Sequence, residues 1–395
     1  MSEWKEVKLG EVSEVTSSKR IFYSDYVSEG IPFWRSKEII EKFNRKKIST
    51  DLYITSEKYF EIKNRFGVPL PNDILLTSVG TLGIPYLVED KEQFYFKDGN
   101  LTWIRNIDEK RLSPHYLYKW LASQQGRDSL REITIGSTQE ALTIIGLKNL
   151  NLFLPPLPEQ KAIASVLSSL DDKIDLLHRQ NKTLEAMAGM LFRQWFVEEA
   201  ENDCKEGTIN DFIEFNPARK LAKGEMAPYL EMAALSTNTF NPDGWYPRKF
   251  SSGTKFINGD TLLARITPCL ENGKTAYVNF LGDDQVAWGS TEYIVMRPKG
   301  NLHPFFAYSL ARNSDFRDYA EGCLAGSSGR QRVDVNHLKD YKISIPSATR
   351  ISNYNAFAKS ITPKLHANSQ QIRTLETLRD TLLPKLMSGE IRVAV

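Results

Sequence analysis

The 395 residues carry 51 Lys and Arg against 49 Asp and Glu, a net charge of +2, which does not by itself announce a nucleic-acid partner. With 41% hydrophobic and 25% charged residues, the chain has the balance of a soluble globular protein with room for two or three domains, and no run approaches the roughly 18 apolar residues of a membrane span. Cys204, Cys269 and Cys323 are scattered, which excludes a disulfide framework or zinc cluster; with no signal-peptide pattern in Met1-Ser2-Glu3-Trp4-Lys5, the expected location is cytoplasmic.

Residues 1–155 read as a first globular domain. Gly30-Ile31-Pro32, Pro69-Leu70-Pro71-Asn72-Asp73 and Asp98-Gly99-Asn100 punctuate it with turns. Ile74-Leu75-Leu76 and Leu101-Thr102-Trp103-Ile104 read as strands, and Ser113 to Gln125 as a helix. Pro155-Pro156-Leu157-Pro158 stops that pattern. Residues 156–200 then carry a heptad seam: Ile163, Leu167, Leu170, Ile174, Leu177, Asn181, Leu184, Ala188, Leu191 and Trp195. A helix of roughly 40 residues would be about 60 Å long. Residues 201–346 read as a second globular domain, with its late helix over His303 to Asn313. Residues 347–395 carry a second seam, from Tyr354 through Ala358, Ile361, Leu365, Asn368, Ile372, Leu375, Arg379 and Leu382 to Leu386. Pro363 is expected to kink or break that helix, because proline removes a helical hydrogen bond.

The second half repeats the first. Thr183-Leu184-Glu185 answers Thr374-Leu375-Glu376, Leu147-Lys148-Asn149-Leu150 answers Leu338-Lys339-Asp340-Tyr341, and Asp73-Ile74-Leu75-Leu76 answers Asp260-Thr261-Leu262-Leu263. The spacing is too long for a solenoid unit. The expected fold is α+β: two similar globular domains separated by two long helices packed as an antiparallel coiled coil, pseudo-two-fold. Facing Asn181 with Asn368 matches seam to seam, with Trp195 meeting Tyr354. A heptad slip would leave both amides against apolar groups, at about 1–3 kcal/mol.

No catalytic signature holds. Gly273-Lys274-Thr275 imitates the end of a P-loop, but Pro268 stands where the first glycine belongs, so a turn or strand start is the expectation there. Asn216-Pro217-Ala218-Arg219 fails as an amino-methyltransferase motif, and the histidines lack ligand spacing, so neither a catalytic nor a metal residue is assigned. Polar, glycine-bearing loops after strands remain. In the first half they bring Ser78, Thr81, Asn100, Ser137, Thr138 and Gln139; in the second Arg265, Thr267, Ser290, Thr291, Ser327, Ser328, Arg330 and Gln331. Hydroxyls and backbone N–H groups suit phosphate contacts, while Arg on guanine and Gln on adenine are favoured base contacts. An ordinary turn is the bland reading of any single loop; recurrence of Gly136-Ser137-Thr138 as Gly326-Ser327-Ser328 favours a function.

Leu154-Pro155-Pro156-Leu157-Pro158-Glu159-Gln160-Lys161-Ala162-Ile163-Ala164 and the heptad helix after it resemble the central region of the specificity subunit of type I restriction-modification systems. Leu378 to Ile391 and Gly259-Asp260-Thr261-Leu262-Leu263-Ala264-Arg265 are similar to other parts of that family. The resemblance implies a non-catalytic reader of double-stranded DNA, with each globular half a target-recognition domain on one half of a bipartite site and the helix pair a ruler. It also implies two modification subunits that carry S-adenosylmethionine and methylate adenine, and restriction subunits that use ATP and Mg; none of these cofactors is expected on this chain. The second repeat departs from the pattern: Ile345-Pro346-Ser347-Ala348-Thr349-Arg350 lacks Pro-Glu-Gln. Two other readings stay open, a divergent DNA-modifying enzyme, which cofactor binding by the chain would reveal, and a tandem protein-binding scaffold, which salt-independent behaviour would mark.

Overall fold

The computed structural model describes residues 4–89, 92–136, 140–198, 206–237, 239–327 and 329–394. Ser137, Thr138, Gln139, Ser328 and Cys204 lie outside the described residues. The chain packs as two compact units, Met1–Asp172 with Glu376–Val395, and Lys173–Leu375. Each joins one globular half to portions of both long helices.

In the first unit a fully buried strand, Ile74–Thr77, lies inside an antiparallel sheet whose neighbours in order are Glu14–Thr16, Leu101–Arg105, Ile74–Thr77 and Pro85–Leu87. A run of Ile-Leu-Leu suits a strand covered on both faces. Asp73 fixes its start: the carboxylate accepts from Leu70 N and from Trp103 Nε1, both at 2.9 Å. A second sheet orders Tyr26–Val27, Tyr53–Ile54, Ile31–Trp34 and Tyr95–Phe96, the last two parallel. Lys5–Lys8 pairs with Asn151–Leu154, and the latter strand leads into the central helix. The helix expected over Ser113 to Gln125 is two helices, Pro114–Ala122 and Gln124–Glu132, turning at Ser123. The Ser123 hydroxyl accepts from Gly126 N at 3.1 Å, and a Cβ on Gly126 would sit 2.1 Å from the Trp120 carbonyl oxygen. The corner therefore needs a cap and a glycine together.

The second unit repeats this plan. Ile213–Phe215, Tyr293–Pro298, Thr261–Ala264 and Thr275–Tyr277 form the equivalent antiparallel sheet in the same order. Asp260 repeats Asp73, accepting from Ile257 N at 2.8 Å. Helices Phe305–Arg312 and Ser314–Gly322 repeat the helical corner. The bond from Leu9 N to the Leu150 carbonyl in the first unit recurs as Ile209 N to the Tyr341 carbonyl in the second. The second sheet has diverged: a parallel pair is retained between Met226–Leu230 and Ala287–Gly289, but Thr254–Phe256 takes one edge and Tyr246–Lys249 the other. Gly273 turns the chain at φ 70° and Thr275 begins a strand, the turn-and-strand expectation for Gly273-Lys274-Thr275.

The long helices are Leu157–Arg193, continued by a π-helical turn Gln194–Glu198, and Ala348–Ser388. In the second unit Ile174 and Leu177 cluster with Ile372 and Leu375, while Leu184 packs on the cluster of Leu365 and Tyr354. Position numbers rise along one helix as they fall along the other, so the packing is antiparallel. In the first unit Ile163 and Leu167 share a core with Leu382 and Leu386. Two expectations need correction. The helix runs unbroken through Pro363, because Tyr354, Ala358, Ile361 and Leu365 are buried on both sides of it and hold the backbone in place. Tyr354 meets Phe192 and Phe196, at centroid distances of 6.4 and 5.3 Å. Leu191 and Trp195 are only half-buried, since the seam takes two steps of four after Ala188, to Phe192 and then to Phe196 inside the π turn.

Candidate nucleic-acid interface

In each unit the chain brings three separate loops to the exit of the buried central strand. In the first, Ser78 N donates to the Asn100 carbonyl at 2.8 Å, and Leu142 N donates to the Ser78 carbonyl at 3.0 Å. Val79 and Ala141 form an antiparallel bridge. In the second, Arg265 N donates to the Glu292 carbonyl at 3.0 Å, Val333 N donates to the Arg265 carbonyl at 2.9 Å, and Ile266 bridges Arg332. The backbone junction is the same in both copies. Its side chains are not: Ser78, Asn100 and Ala141 stand where the second unit has Arg265, Glu292 and Arg332.

Where Ser78, Asn100 and Ala141 meet, the first junction carries no charged side chain. Ser78 is 3% exposed, and its hydroxyl lies 2.6 Å from Thr102 Oγ1 and 3.1 Å from the Leu76 carbonyl oxygen. That corrects its expected role: Ser78 joins the loops through its backbone, and its side chain is enclosed. Thr81 is exposed on the tip between Gly80 and Gly83, both at positive φ, and Asn100 is half-buried. Gly136 stands at positive φ, and Ile135 pairs with Ala141. A cavity of about 210 Å³ opens here among Gly80, Gly83, Arg127, Arg131, Thr134 and Glu140.

The second junction is charged. Arg332 is clamped by Glu292, with Nε at 2.9 Å from Oε1 and Nη2 at 2.7 Å from the same atom. Glu292 N donates to Ser290 Oγ at 3.1 Å, so that hydroxyl shapes the loop, while Thr291 is exposed. Thr267 N donates to the Gln331 carbonyl and Gln331 N to Thr267 Oγ1, a reciprocal pair at 3.0 and 3.1 Å that makes Thr267 a loop fastener. Ser327 and Arg330 are exposed, and Gln331 half-exposed, on a loop turned by Gly326 and Gly329 at positive φ. Arg265 Nε is buried and has no hydrogen-bond partner among the described residues. Sequence reasoning missed Glu292 as a partner and Arg332 as part of the site. Their pairing joins positions 40 residues apart, and no local pattern carries it.

The sequence model of the family described as "Type I restriction modification DNA specificity domain" matches residues 1–186. The chain is 25% identical to the type I restriction enzyme HindI specificity subunit of Haemophilus influenzae, over 99% of this chain and 100% of the relative. It is also 25% identical to the MjaIX specificity subunit of Methanocaldococcus jannaschii, over 81% of this chain and 78% of the relative. Over its length the chain is thus similar to type I restriction-modification specificity subunits, and its first 186 residues match their domain family. A further H. influenzae protein, provisionally assigned to the same class, is 34% identical, over 42% of this chain but only 40% of that relative. The crystal structure of the type I restriction-modification S subunit from M. genitalium shares the fold, with a TM-score of 0.61 at 17% identity and 97% and 96% of the two chains covered.

In this chain the Pro-Glu-Gln sequence has a structural task. Gln160 is 1% exposed. Its carbonyl accepts from Ser113 N at 2.9 Å, and its amide donates to the Arg111 and Pro155 carbonyls, each at 2.9 Å. Glu159, also buried, receives both arms of the Arg392 guanidinium. These contacts fix where the central helix leaves the first globular half. In the second copy Ile351 stands at the Gln160 position, and Arg350, at the Glu159 position, donates from Nη1 to the Trp195 carbonyl at 3.3 Å. No group of three or more His, Cys, Asp or Glu able to hold a metal occurs among the described residues, and no helix there is long and apolar enough to cross a membrane.

Proposed function

We propose that this chain reads an asymmetric, bipartite DNA target for a type I restriction-modification complex. Each globular half, residues 1–155 and 201–346, would present its loop junction to one half of the site. The observation that carries the reading is the recurrence of one backbone junction with two different side-chain sets. A common scaffold with exchanged side chains is what two different half-sites require, because phosphate contacts set register and base-edge contacts set sequence.

At the first junction Thr81, Asn100, Ser137, Thr138 and Gln139 are the contact residues of this reading. At the second they are Arg265, Thr291, Ser327, Ser328, Arg330 and Gln331, with Arg332 added. Arginine matches guanine bidentately and glutamine matches adenine. The helix pair acts as the ruler between half-sites, its register held at Asn181 and Asn368. Two modification subunits dock on the chain in the cytoplasm and supply adenine methylation from S-adenosylmethionine. Restriction subunits supply the ATP- and Mg-dependent steps. The chain itself orients DNA and assigns no catalytic residue.

The test is adenine-methylation mapping of DNA from cells holding the modification subunit, with and without this chain. A single gapped, asymmetric motif that depends on the chain supports the reading. Unchanged methylation in cells where the complex is assembled favours the protein-scaffold alternative.

A further inference from the structure

In the first unit Asp171, on the central helix, is surrounded by three cations. Lys119 Nζ lies 2.6 Å from Oδ2, and Arg45 Nη2 and Arg379 Nη1 lie 3.2 and 3.1 Å from Oδ1. Arg379 is the residue that occupies a leucine position in the seam; its second contact is Asp380 Oδ1 at 2.9 Å. A cavity of about 310 Å³ opens at this cluster, and Arg127 completes its cationic lining. Four cationic side chains line it against two carboxylates, Asp171 and Asp380, which leaves positive charge in excess. Arg45 stands at φ 56° after helix Ser36–Phe43 and is followed by exposed Lys46 and Lys47, which extend the positive surface outward.

Arg127 lines two cavities. One is this cluster, and the other is the junction cavity beside Gly80, Gly83 and Arg131. Its guanidinium is held between them by Nη1 on the Ala122 carbonyl at 2.6 Å and Nη2 on Gln124 Oε1 at 3.1 Å. Arg127 therefore links the cavity beside the proposed reading loops to the Asp171 cluster, all within one unit.

We propose that the Arg45–Lys119–Arg127–Arg379 cavity seats a backbone phosphate of duplex DNA flanking the half-site read by the first junction. This rests on the DNA-reading function proposed above. The chemistry favours a phosphodiester: guanidinium forks match phosphate oxygens, and the phosphate would supply the negative charge that the two carboxylates leave unmet. Asp171 acts as an anchor that pre-orients Lys119, Arg45 and Arg379, so fewer side chains must be ordered on binding.

The experiment measures duplex binding by the assembled complex with its modification subunits, across a salt series. One duplex carries the mapped motif and one a scrambled sequence. Arg45→Ala and Arg127→Ala are compared with the parent, with Arg65→Ala as a surface-charge control and Arg127→Lys as the conservative variant. Thermal unfolding confirms that each variant folds. Each Ala variant weakens both duplexes by a similar factor, about 3- to 10-fold, and flattens log K against log salt by about 0.9 for the lost phosphate. Arg127→Lys retains most of the binding, and the methylated motif is unchanged. A folded Arg45→Ala, Arg127→Ala double variant with the parent's salt slope would overturn the proposal and leave the cluster as an internal ion network. Weakened complex assembly with an unaltered slope would overturn it in favour of a partner-protein contact. A parent complex that fails to bind either duplex would instead refute the underlying DNA-reading function.

Discussion

The Asn368 side-chain amide donates a 2.8 Å hydrogen bond to the Asn181 side-chain carbonyl inside a seam of leucine and isoleucine. Both residues are buried, at 1% and 7% exposure. Two longer bonds flank the pair: Asn181 Nδ2 donates to Ser369 Oγ, and Asn368 Nδ2 also reaches Gln180 Oε1, each at 3.4 Å. A polar pair of this kind stabilises less than well-packed leucines would, but it penalises every other register.

Asn368→Leu alone strands the Asn181 carbonyl in an apolar seam. It should cost about 1–3 kcal/mol. Adding Asn181→Leu should recover most of that loss while relaxing the register. Urea unfolding of the parent, single and double variants measures both effects. A single variant as stable as the parent removes the pair from the account.

Gln160→Ala removes one accepted and two donated bonds, and leaves Ser113 N and the Arg111 and Pro155 carbonyls without that partner. Those groups cost roughly 2–4 kcal/mol together when left unmet. Hydrogen exchange should accelerate at Ser113 and at the start of the central helix. Unchanged protection there would mean that Pro-Glu-Gln serves something other than this clamp.

Glu185 gives stability a pH signature. Burial pushes its carboxyl up to about 7, although Tyr308, donating at 2.5 Å, and Arg312 pull it back. The native state thus retains a proton that the unfolded chain releases above pH 4.5. Stability from this group is fully present below the unfolded value and is lost as pH rises through about 7, by at most about 3 kcal/mol. Glu185→Gln should therefore lose less stability between pH 5 and pH 8 than the parent does. Parallel pH curves for the two proteins contradict the assignment.

Arg330→Ala tests the second junction. Methylation rates over a panel of single-base changes should show lost discrimination at one position of one half-site, worth about 1–3 kcal/mol for a bidentate arginine. An equal loss at every position would identify Arg330 as a phosphate contact instead.

The repeat, the seams and the asparagine pair are legible in the sequence because each is periodic or recurs at a nearly fixed offset. Asp73 and Asp260 recur because the same turn must start the same buried strand in each half. Other features depend on packing that no window of sequence carries. Proline at 363 suggests a break, yet flanking burial holds the helix. Trp195 fits the heptad spacing, but Phe192 and Phe196 take the contact with Tyr354. The loops were recognisable as polar glycine turns. Which side chains stay available was not: Ser78 turns inward against Thr102, and Glu292 reaches across the junction to Arg332.

The central claim is that the two junctions read separate half-sites. Replacing residues 1–155 with those of a relative of different specificity, then mapping adenine methylation in cells with the modification subunit, tests it most directly. The account predicts a new motif in which one half changes, while the other half and the gap stay as they were. Change in both halves would contradict it.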